Sequence, residues 1–318
     1  MKWIGALALS LGCLSGIPSC EKAPILVESN DERAPQHWRG VVFGIHMQAQ
    51  FHGLSQQSFE RIGVEIERVA QEYERAFSLY SDTSELSILN TKRRLGSSTP
   101  LFRDLCLRSK QLNDQSLGYF APSVENVWGL ISSGNTTESS IAAAHSGSSM
   151  GHLEFVGQAI ELTHPQTRIS FNALVQGAFA DAVGELASRH GVECALLQLG
   201  ETVAIGEHPS GRPWSLAIES SDVSGQLIDV LTLSDSAMAI SAQATGTLGF
   251  DPVAGEVRER ELVVAVDSVA GAAVADAFAT AFLSAPRERW PELFDALREL
   301  GEARVVLWQD GERLQYFE

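Results

Sequence analysis

Apolar positions along the chain recur at two spacings, and each spacing predicts its own kind of element. Between residues 58 and 79, apolar side chains follow one another at intervals of three and four, which is the period of one helical face. Short apolar runs bounded by turn residues instead predict strands. The predicted helices are 58–79, 84–90, 101–117, 173–190 and 291–300, with a further helix in the small-residue run that starts at 271. The predicted strands are 38–51, 155–162, 168–171, 194–199, 203–205, 214–219, 230–233, 238–241, 262–267 and 304–308.

The order of these elements predicts the fold class. Residues 132–151 are rich in Ser, Gly and Thr and predict a surface loop, while Gly191 is placed to end the helix before it. Strands and helices are mixed without regular β–α alternation, which favours an α+β domain over a doubly wound parallel sheet. Neither a G-x-G-x-x-G fingerprint after a strand nor a Walker A loop is present.

The N-terminal residues have the pattern of an export signal. A lysine precedes the apolar and small-residue run 4–17, which is too short to span a bilayer. The segment 17–20, IPSC, resembles the lipobox of bacterial lipoproteins. We predict a signal peptide over residues 1–19, lipid attachment at Cys20 and a polar tether over 20–37. This places the chain in the bacterial cell envelope, on the periplasmic side of a membrane, with a plainly secreted protein as the alternative.

Composition and charge narrow the range of partners. The chain has 318 residues, 44% of them hydrophobic and 20% charged, and can bury a large core. Its formal net charge of −17 argues against nucleic acid as a partner, because neutralising phosphates needs a basic face. An acidic protein that handles an anionic substrate needs a local cation, which a bound metal can supply. Outside the export segment, Cys106 and Cys194 predict buried free thiols, with a single disulfide left open.

One alanine-rich run carries a candidate for chemistry. Asp276 and Thr280 lie four residues apart among alanines, and alanine is the strongest helix former. Positions i and i+4 share a helical face, so two hard oxygens would lie side by side, as Mg²⁺ or Ca²⁺ requires. The alternative is a tightly packed helix in which Asp276 interacts with the N-terminal end of the helix dipole. For Asp181, on the 173–190 helix, we expect only a capping or solvated carboxylate.

Several segments, taken in chain order, resemble a single family. Residues 77–90, FSLYSDTSELSILN, are similar to its S-x-Y-x-x-x-S-E-(I/L)-S-x-(I/L)-N segment, and residues 275–280, ADAFAT, to its A-D-A-x-A-T helix. The other matching segments are 118–130, 177–181, 191–214 and 251–255. The chain is identified by these segments as a member of the ApbE-type flavin transferases. These enzymes use FAD as donor and attach FMN, through its phosphate, to a Thr or Ser of a partner protein.

The resemblance implies a fold, a reaction and a set of site residues. The implied fold is a single ApbE-like, T-fold-like domain over residues 38–318, with mixed, largely antiparallel sheets and flanking helices. The implied reaction is Mg²⁺-dependent transfer of FMN from FAD to a Thr or Ser of an envelope redox protein. Asp276, as the catalytic residue, would hold Mg²⁺ together with Thr280 and a backbone carbonyl near Ala173. The implied flavin-binding residues are Tyr80, Asn90, Phe120, Ala121, Pro122 and Gln176.

The chain departs from the family pattern at several polar positions. Ser170 and Thr202 stand where the pattern has acids, Gln176 where it has a lysine, and Glu201 where it has a glycine. These changes favour one alternative, a non-catalytic flavin-binding or scaffold lipoprotein. A second alternative is a pyrophosphatase that hydrolyses FAD to FMN and AMP, because water can attack the same Mg²⁺-activated phosphorus.

Overall fold

A computed structural model describes residues 34–318, apart from residues 221, 223 and 224. The predicted signal peptide, Cys20 and most of the predicted tether lie outside the described residues. Within the part of the chain that is described, no helix is both long enough and apolar enough to cross a membrane.

Eight α-helices and fifteen β-strands make up this described part. The helices are α1 (Gln56–Phe77), α2 (Glu85–Lys92), α3 (Pro100–Gln115), α4 (Glu125–Ser133), α5 (Glu138–His145), α6 (Val175–Arg189), α7 (Ala272–Ser284) and α8 (Trp290–Arg298). The strands are β1 (Gln36–Val42), β2 (Ile45–Phe51), β3 (Arg94–Leu95), β4 (Leu153–Val156), β5 (Ala159–Leu162), β6 (Ala195–Leu199), β7 (Glu201–Ile205), β8 (Trp214–Glu219), β9 (Leu227–Leu233), β10 (Ala237–Gln243), β11 (Leu248–Asp251), β12 (Glu256–Glu259), β13 (Leu262–Ser268), β14 (Ala303–Gln309) and β15 (Glu312–Phe317).

Eight of the strands form one antiparallel sheet, in the order β1-β2-β6-β7-β10-β13-β14-β15. The junction between β7 and β10 joins the two halves of the sheet, with Thr202 opposite Met238 and Val203 opposite Ala237. The remaining strands form the smaller groups β3-β5-β4, β8-β9 and β11-β12. The prediction of an α+β domain with largely antiparallel sheets is confirmed.

Both faces of the large sheet are covered. On one face α6 and α7 pack against the central strands, and α1 packs on α6. On the other face the β8–β9 hairpin buries Trp214, Leu216 and Leu233 against Met238 and Val306. Ten residues of α7 are buried, so this helix is surrounded by protein on nearly every side. A helix that is apolar all round belongs in a core, and the single acid within it calls for an explanation.

The alanines of α7 allow a close helix crossing. A Cβ atom added at Gly177 of α6 would lie 2.5 Å from the carbonyl oxygen of Ala272 and 2.7 Å from the Cα of Ala273. No side chain larger than glycine fits at that contact without moving one of the helices. The small residues of the run 271–281 therefore bring α6 and α7 together backbone to backbone.

Most helices lie where the apolar spacing predicts them, but two predicted strands are hairpins. The predicted strand 38–51 is divided into β1 and β2 by Phe43 and Gly44, whose φ angles are +54° and +76°. The predicted strand 155–162 is divided in the same way at Gly157, with φ +59°. A two-residue turn hardly interrupts an alternating pattern, so the pattern alone did not reveal these reversals.

Two further predictions are wrong. The predicted loop 132–151 contains α5, whose N-cap Thr137 accepts a hydrogen bond from the backbone N–H of Ser140. The predicted strand 168–171 is not a strand, because its backbone hydrogen bonds do not pair it with a neighbouring strand. Ile169 exchanges hydrogen bonds with the amide of Asn90, and the N–H of Ser170 donates to the carbonyl of Pro122.

The two cysteines are free thiols, as expected. Cys106 is fully buried in α3, where burial raises the pKa of its thiol. Cys194 is only half-buried and donates to the carbonyl of Glu207. The disulfide left open by the sequence is not formed.

Candidate active site

Asp276 lies about one turn into α7, at its crossing with α6. Its side chain is 5% exposed, and it accepts a hydrogen bond from the backbone N–H of Gly177. The second carboxylate oxygen, Oδ2, is buried and has no hydrogen-bond partner among the described residues. Burial, together with the charge of Asp181, raises the pKa of Asp276 despite the bond from Gly177. A buried polar atom without a partner is rare in folded proteins, and this oxygen is free to bind a ligand.

The N-terminus of α7 is capped by Asp181 from α6. Its Oδ1 accepts from the N–H of Ala272 at 2.5 Å, and its Oδ2 accepts from the N–H of Ala273 at 3.0 Å. The expectation of a capping carboxylate is therefore confirmed, although the helix that it caps is α7 and not its own. Because Asp181 already satisfies these N–H groups, Asp276 is not needed as the partner of the helix terminus.

Thr280 follows Asp276 by one turn of α7 and is half-buried. Its hydroxyl lies 3.5 Å from the hydroxyl of Ser241 on β10. The structure thus forms the helix that the i, i+4 spacing requires and adds a hydroxyl that the spacing did not reveal. The only sign of Ser241 in the sequence is that it is a polar residue within an apolar strand.

Glu201 adds a second carboxyl to this group. It is 8% exposed at the start of β7 and accepts from the backbone N–H of Ile240. Burial, and after it the charge of Asp276, raises the pKa of Glu201 well above its ordinary range. In the sequence, Glu201 was noted only because the family pattern has glycine at this position.

Ala173 and Gln176 lie at the beginning of α6. Ala173 is half-buried in the turn before the helix, and Gln176 is the second helical residue. The side chain of Gln176 packs over Gly200, where an added Cβ would lie 2.3 Å from its Oε1. Gln176 therefore lies beside the chain segment that carries Glu201, and the predicted site residues of α6 and α7 meet at one end of the helix pair.

Four other predicted flavin-binding residues, Phe120, Ala121, Pro122 and Asn90, lie outside α6 and α7. Phe120, Ala121 and Pro122 are buried, and the carbonyl of Pro122 holds the segment that leads into α6. Asn90 is also buried, and its amide both donates to and accepts from the backbone of Ile169. Pro122 and Asn90 therefore hold the segment before α6 through hydrogen bonds to its backbone.

Tyr80 lies apart from the buried group. It occupies the turn between α1 and α2 and is 72% exposed. Its aromatic face is thus presented at the surface, and the structure does not bring it into the buried group around Asp276.

A further carboxyl lies along the segment that leads into α6. Glu125, in the first turn of α4, is hydrogen-bonded to Ser170 and lies near Arg168. Burial raises the pKa of Glu125, and Arg168 and the bond to Ser170 offset the rise only in part. Ser170 stands at a position where the family pattern has an acid. Glu125 places a carboxyl beside it from α4, a helix that the sequence patterns did not predict.

The donors at the α6–α7 crossing suit a hard cation. Among the described residues no group of three or more His, Cys, Asp or Glu side chains is placed to hold a metal. The oxygens available are the free Oδ2 of Asp276, the hydroxyls of Thr280 and Ser241, and the carboxyl of Glu201. Oxygen-only donors of this kind fit Mg²⁺ or Ca²⁺ and not a thiophilic metal.

Solved structures share this arrangement of sheet and helices. The apo flavinyl transferase ApbE of Pseudomonas stutzeri superposes with a TM-score of 0.72 at 22% identity, covering 88% of this chain and 93% of the other. The flavin transferase ApbE of Vibrio cholerae superposes with a TM-score of 0.73 at 19% identity, covering 89% and 97%. The fold is therefore that of the flavin transferases.

Sequence similarity assigns the chain to a family. The model of the ApbE family matches residues 41–304, which is most of the chain, so the chain belongs to the ApbE family. A curated relative, the FAD:protein FMN transferase of Chlamydia trachomatis serovar D (strain ATCC VR-885 / DSM 19411 / UW-3/Cx), is 26% identical over 282 residues. That match covers 81% of this chain and 87% of the relative.

Proposed function

We propose that this protein is a FAD:protein FMN transferase, an enzyme that moves FMN from FAD to a Thr or Ser of an acceptor protein. The observation that carries the proposal is Asp276, a buried acid with one unpartnered oxygen, one turn from Thr280 on the helix that matches the family motif. A purely structural acid in this position would be expected to find a partner for both oxygens.

The reaction replaces one phosphorus–oxygen bond by another. The acceptor hydroxyl forms a bond to the phosphorus of the FMN half, and the bond from that phosphorus to the bridging oxygen breaks. AMP leaves with the electron pair of that bond, and the hydroxyl proton passes to solvent. Bound Mg²⁺ would neutralise negative charge on the two phosphates and help AMP to leave.

The residues of the chain position these groups. Asp276, Thr280 and the backbone carbonyl near Ala173 would hold Mg²⁺. The N–H of Gly177 fixes one oxygen of Asp276 and leaves the other free, while Asp181 fixes the start of α7. The close crossing of α6 and α7 makes this geometry rigid, which a site needs if its ligands are to be held in place.

The acceptor and the location are proposed from the sequence. An envelope redox protein with a reachable Thr or Ser is the proposed acceptor, and lipid attachment at Cys20 would keep the enzyme at the membrane. Replacing Cys20→Ser should move the protein from the membrane fraction to the soluble periplasmic fraction. A membrane-bound C20S variant would contradict the anchor and leave the transfer reaction untouched.

Flavin transfer is tested directly by mass spectrometry. The purified chain, FAD, Mg²⁺ and a candidate envelope acceptor are incubated, and the acceptor should gain one FMN on a Thr or Ser. Asp276→Ala should abolish the gain, and excess chelator should do the same. Equal labelling in chelator would exclude the metal mechanism. Release of FMN and AMP in the presence of an unlabelled acceptor would identify a pyrophosphatase instead.

A further inference from the structure

The side chain of Glu201 faces the helix layer from the sheet. On the same strand, Val203 lies 3.5 Å from where a Cβ on Gly184 of α6 would be, so Val203 faces α6. Residues i and i+2 of a strand point to the same face, so Glu201 also faces the helices. The backbone N–H of Ile240, on the neighbouring strand β10, donates to its carboxyl.

This orientation brings Glu201 to the oxygens of α7 and β10. Ile240, its hydrogen-bond donor, directly precedes Ser241, and the hydroxyl of Ser241 lies 3.5 Å from that of Thr280. The helix that carries Asp276, α7, packs against both β7 and β10. Three elements, β7, β10 and α7, thus direct oxygen donors into one buried region.

The region lacks a protein cation. The ion pairs formed within the described residues include Arg108 with Asp181, but none involves Glu201 or Asp276. Gln176, whose side chain packs over Gly200 next to Glu201 in the chain, is neutral. Burying a carboxylate without a cationic partner is unfavourable, and burying two adjacent carboxylates is more so. A divalent cation offsets the charge of both acids and supplies the partner that the Oδ2 of Asp276 lacks.

We propose that Glu201 is a ligand of the divalent cation held by Asp276, which gives this chain a two-carboxylate site that binds the cation in the absence of any flavin nucleotide. The inference rests on the metal site of the proposed function and adds a ligand where the family pattern has glycine. Two carboxylates balance the two charges of the cation, so the phosphates of the donor are not required to retain it.

Binding of Mn²⁺ alone tests the proposal. Free Mn²⁺ is counted by electron paramagnetic resonance during titration of the full chain in detergent, with no flavin present, and Mg²⁺ is then added as a competitor. The wild type should bind one Mn²⁺ that Mg²⁺ displaces. Glu201→Gln and Asp276→Asn should each weaken the affinity by about ten-fold or more. Glu67→Gln, which removes an exposed acid of α1, is the matched control and should leave the affinity unchanged.

Thermal unfolding in chelator shows whether each variant is folded. Because E201Q removes a buried acid that forms no ion pair within the described residues, its metal-free form should melt at or above the temperature of the wild type, while its stabilisation by Mn²⁺ is reduced. Equal Mn²⁺ affinity of a folded E201Q variant would overturn the assignment. Tighter binding by Glu201→Gly would also overturn it and would show that Glu201 obstructs the site.

The experiments distinguish failure of the flavin-transfer hypothesis from failure of the assignment of Glu201 as a cation ligand. An acceptor that stays unlabelled, with Mn²⁺ bound through Glu201, would reject flavin transfer and support the ligand. Flavin transfer at an unchanged Mn²⁺ affinity in E201Q would support the reaction and reject the ligand.

Discussion

Asp181 is a half-buried acid and Asp276 a fully buried one on neighbouring helices, and hydrogen bonding separates their roles. Both oxygens of Asp181 are occupied by backbone N–H groups of α7, which makes it a structural cap. Asp276 uses one oxygen on Gly177 and keeps the other unpaired. Asp276 is the more buried of the two, and it is also the one with an unsatisfied oxygen.

At the residue scale, Glu125 predicts how the free energy of unfolding depends on pH. Burial raises its pKa in the folded protein above the ordinary value of 4.5, so the folded state keeps this proton to higher pH than the unfolded chain does. The stability that follows is complete below the unfolded pKa and is lost as the pH rises through the folded pKa. Glu125→Gln keeps the size of the side chain and does not titrate.

As the pH rises above 4.5, the free energy of unfolding of the wild type should therefore fall relative to that of E125Q. The slope for one proton is at most about 1.4 kcal/mol per pH unit. Urea unfolding of both proteins at several pH values measures it. Two parallel profiles would mean that Glu125 titrates equally in the folded and unfolded states.

At the scale of elements, the crossing of α6 and α7 predicts unequal effects of two glycine substitutions. Gly177→Ala places a Cβ 2.5 Å from the carbonyl oxygen of Ala272, which forces the helices apart. We expect a loss of about 1–3 kcal/mol in unfolding free energy and reduced flavin transfer, because the N–H of Gly177 positions Asp276.

Gly184→Ala, on the same helix, is the matched control. Its Cβ would meet Val203 at 3.5 Å, an ordinary contact, and alanine favours the helix by up to about 1 kcal/mol. Denaturant unfolding compares the two variants. Equal stability of G177A and G184A would mean that the crossing is loose enough to adjust.

The elements also show what the sequence could and could not predict. The i, i+4 spacing of Asp276 and Thr280 predicted a shared face because helical geometry is local. Glu201 and Ser241 were missed as site members because they reach Asp276 only through the junction of β7 and β10, strands far apart in the chain. Residues 168–171 were mistaken for a strand because side-chain partners such as Asn90 replace the ladder there.

At the scale of the molecule, the net charge of −17 opposes an anionic donor, and two of the acids that contribute to it are buried at the site. We therefore expect FAD to bind about ten-fold or more weakly in chelator than in Mg²⁺, because the cation is the group that attracts the phosphates. Titration followed by flavin fluorescence measures both affinities. Equal affinities would show that FAD is held without the metal.

The burial of α7 in the centre of the fold has a consequence for how long each molecule survives. A cation that binds only the native state adds about 2.7 kcal/mol of stability at a concentration one hundred times its dissociation constant. Proteases cleave transiently opened molecules, and their rate follows the population of the open form. Because Asp276, whose Oδ2 is buried without a partner among the described residues, lies on this central helix, a copy that lacks the proposed cation should be degraded first. Turnover of the protein should then follow the divalent-cation supply of its compartment.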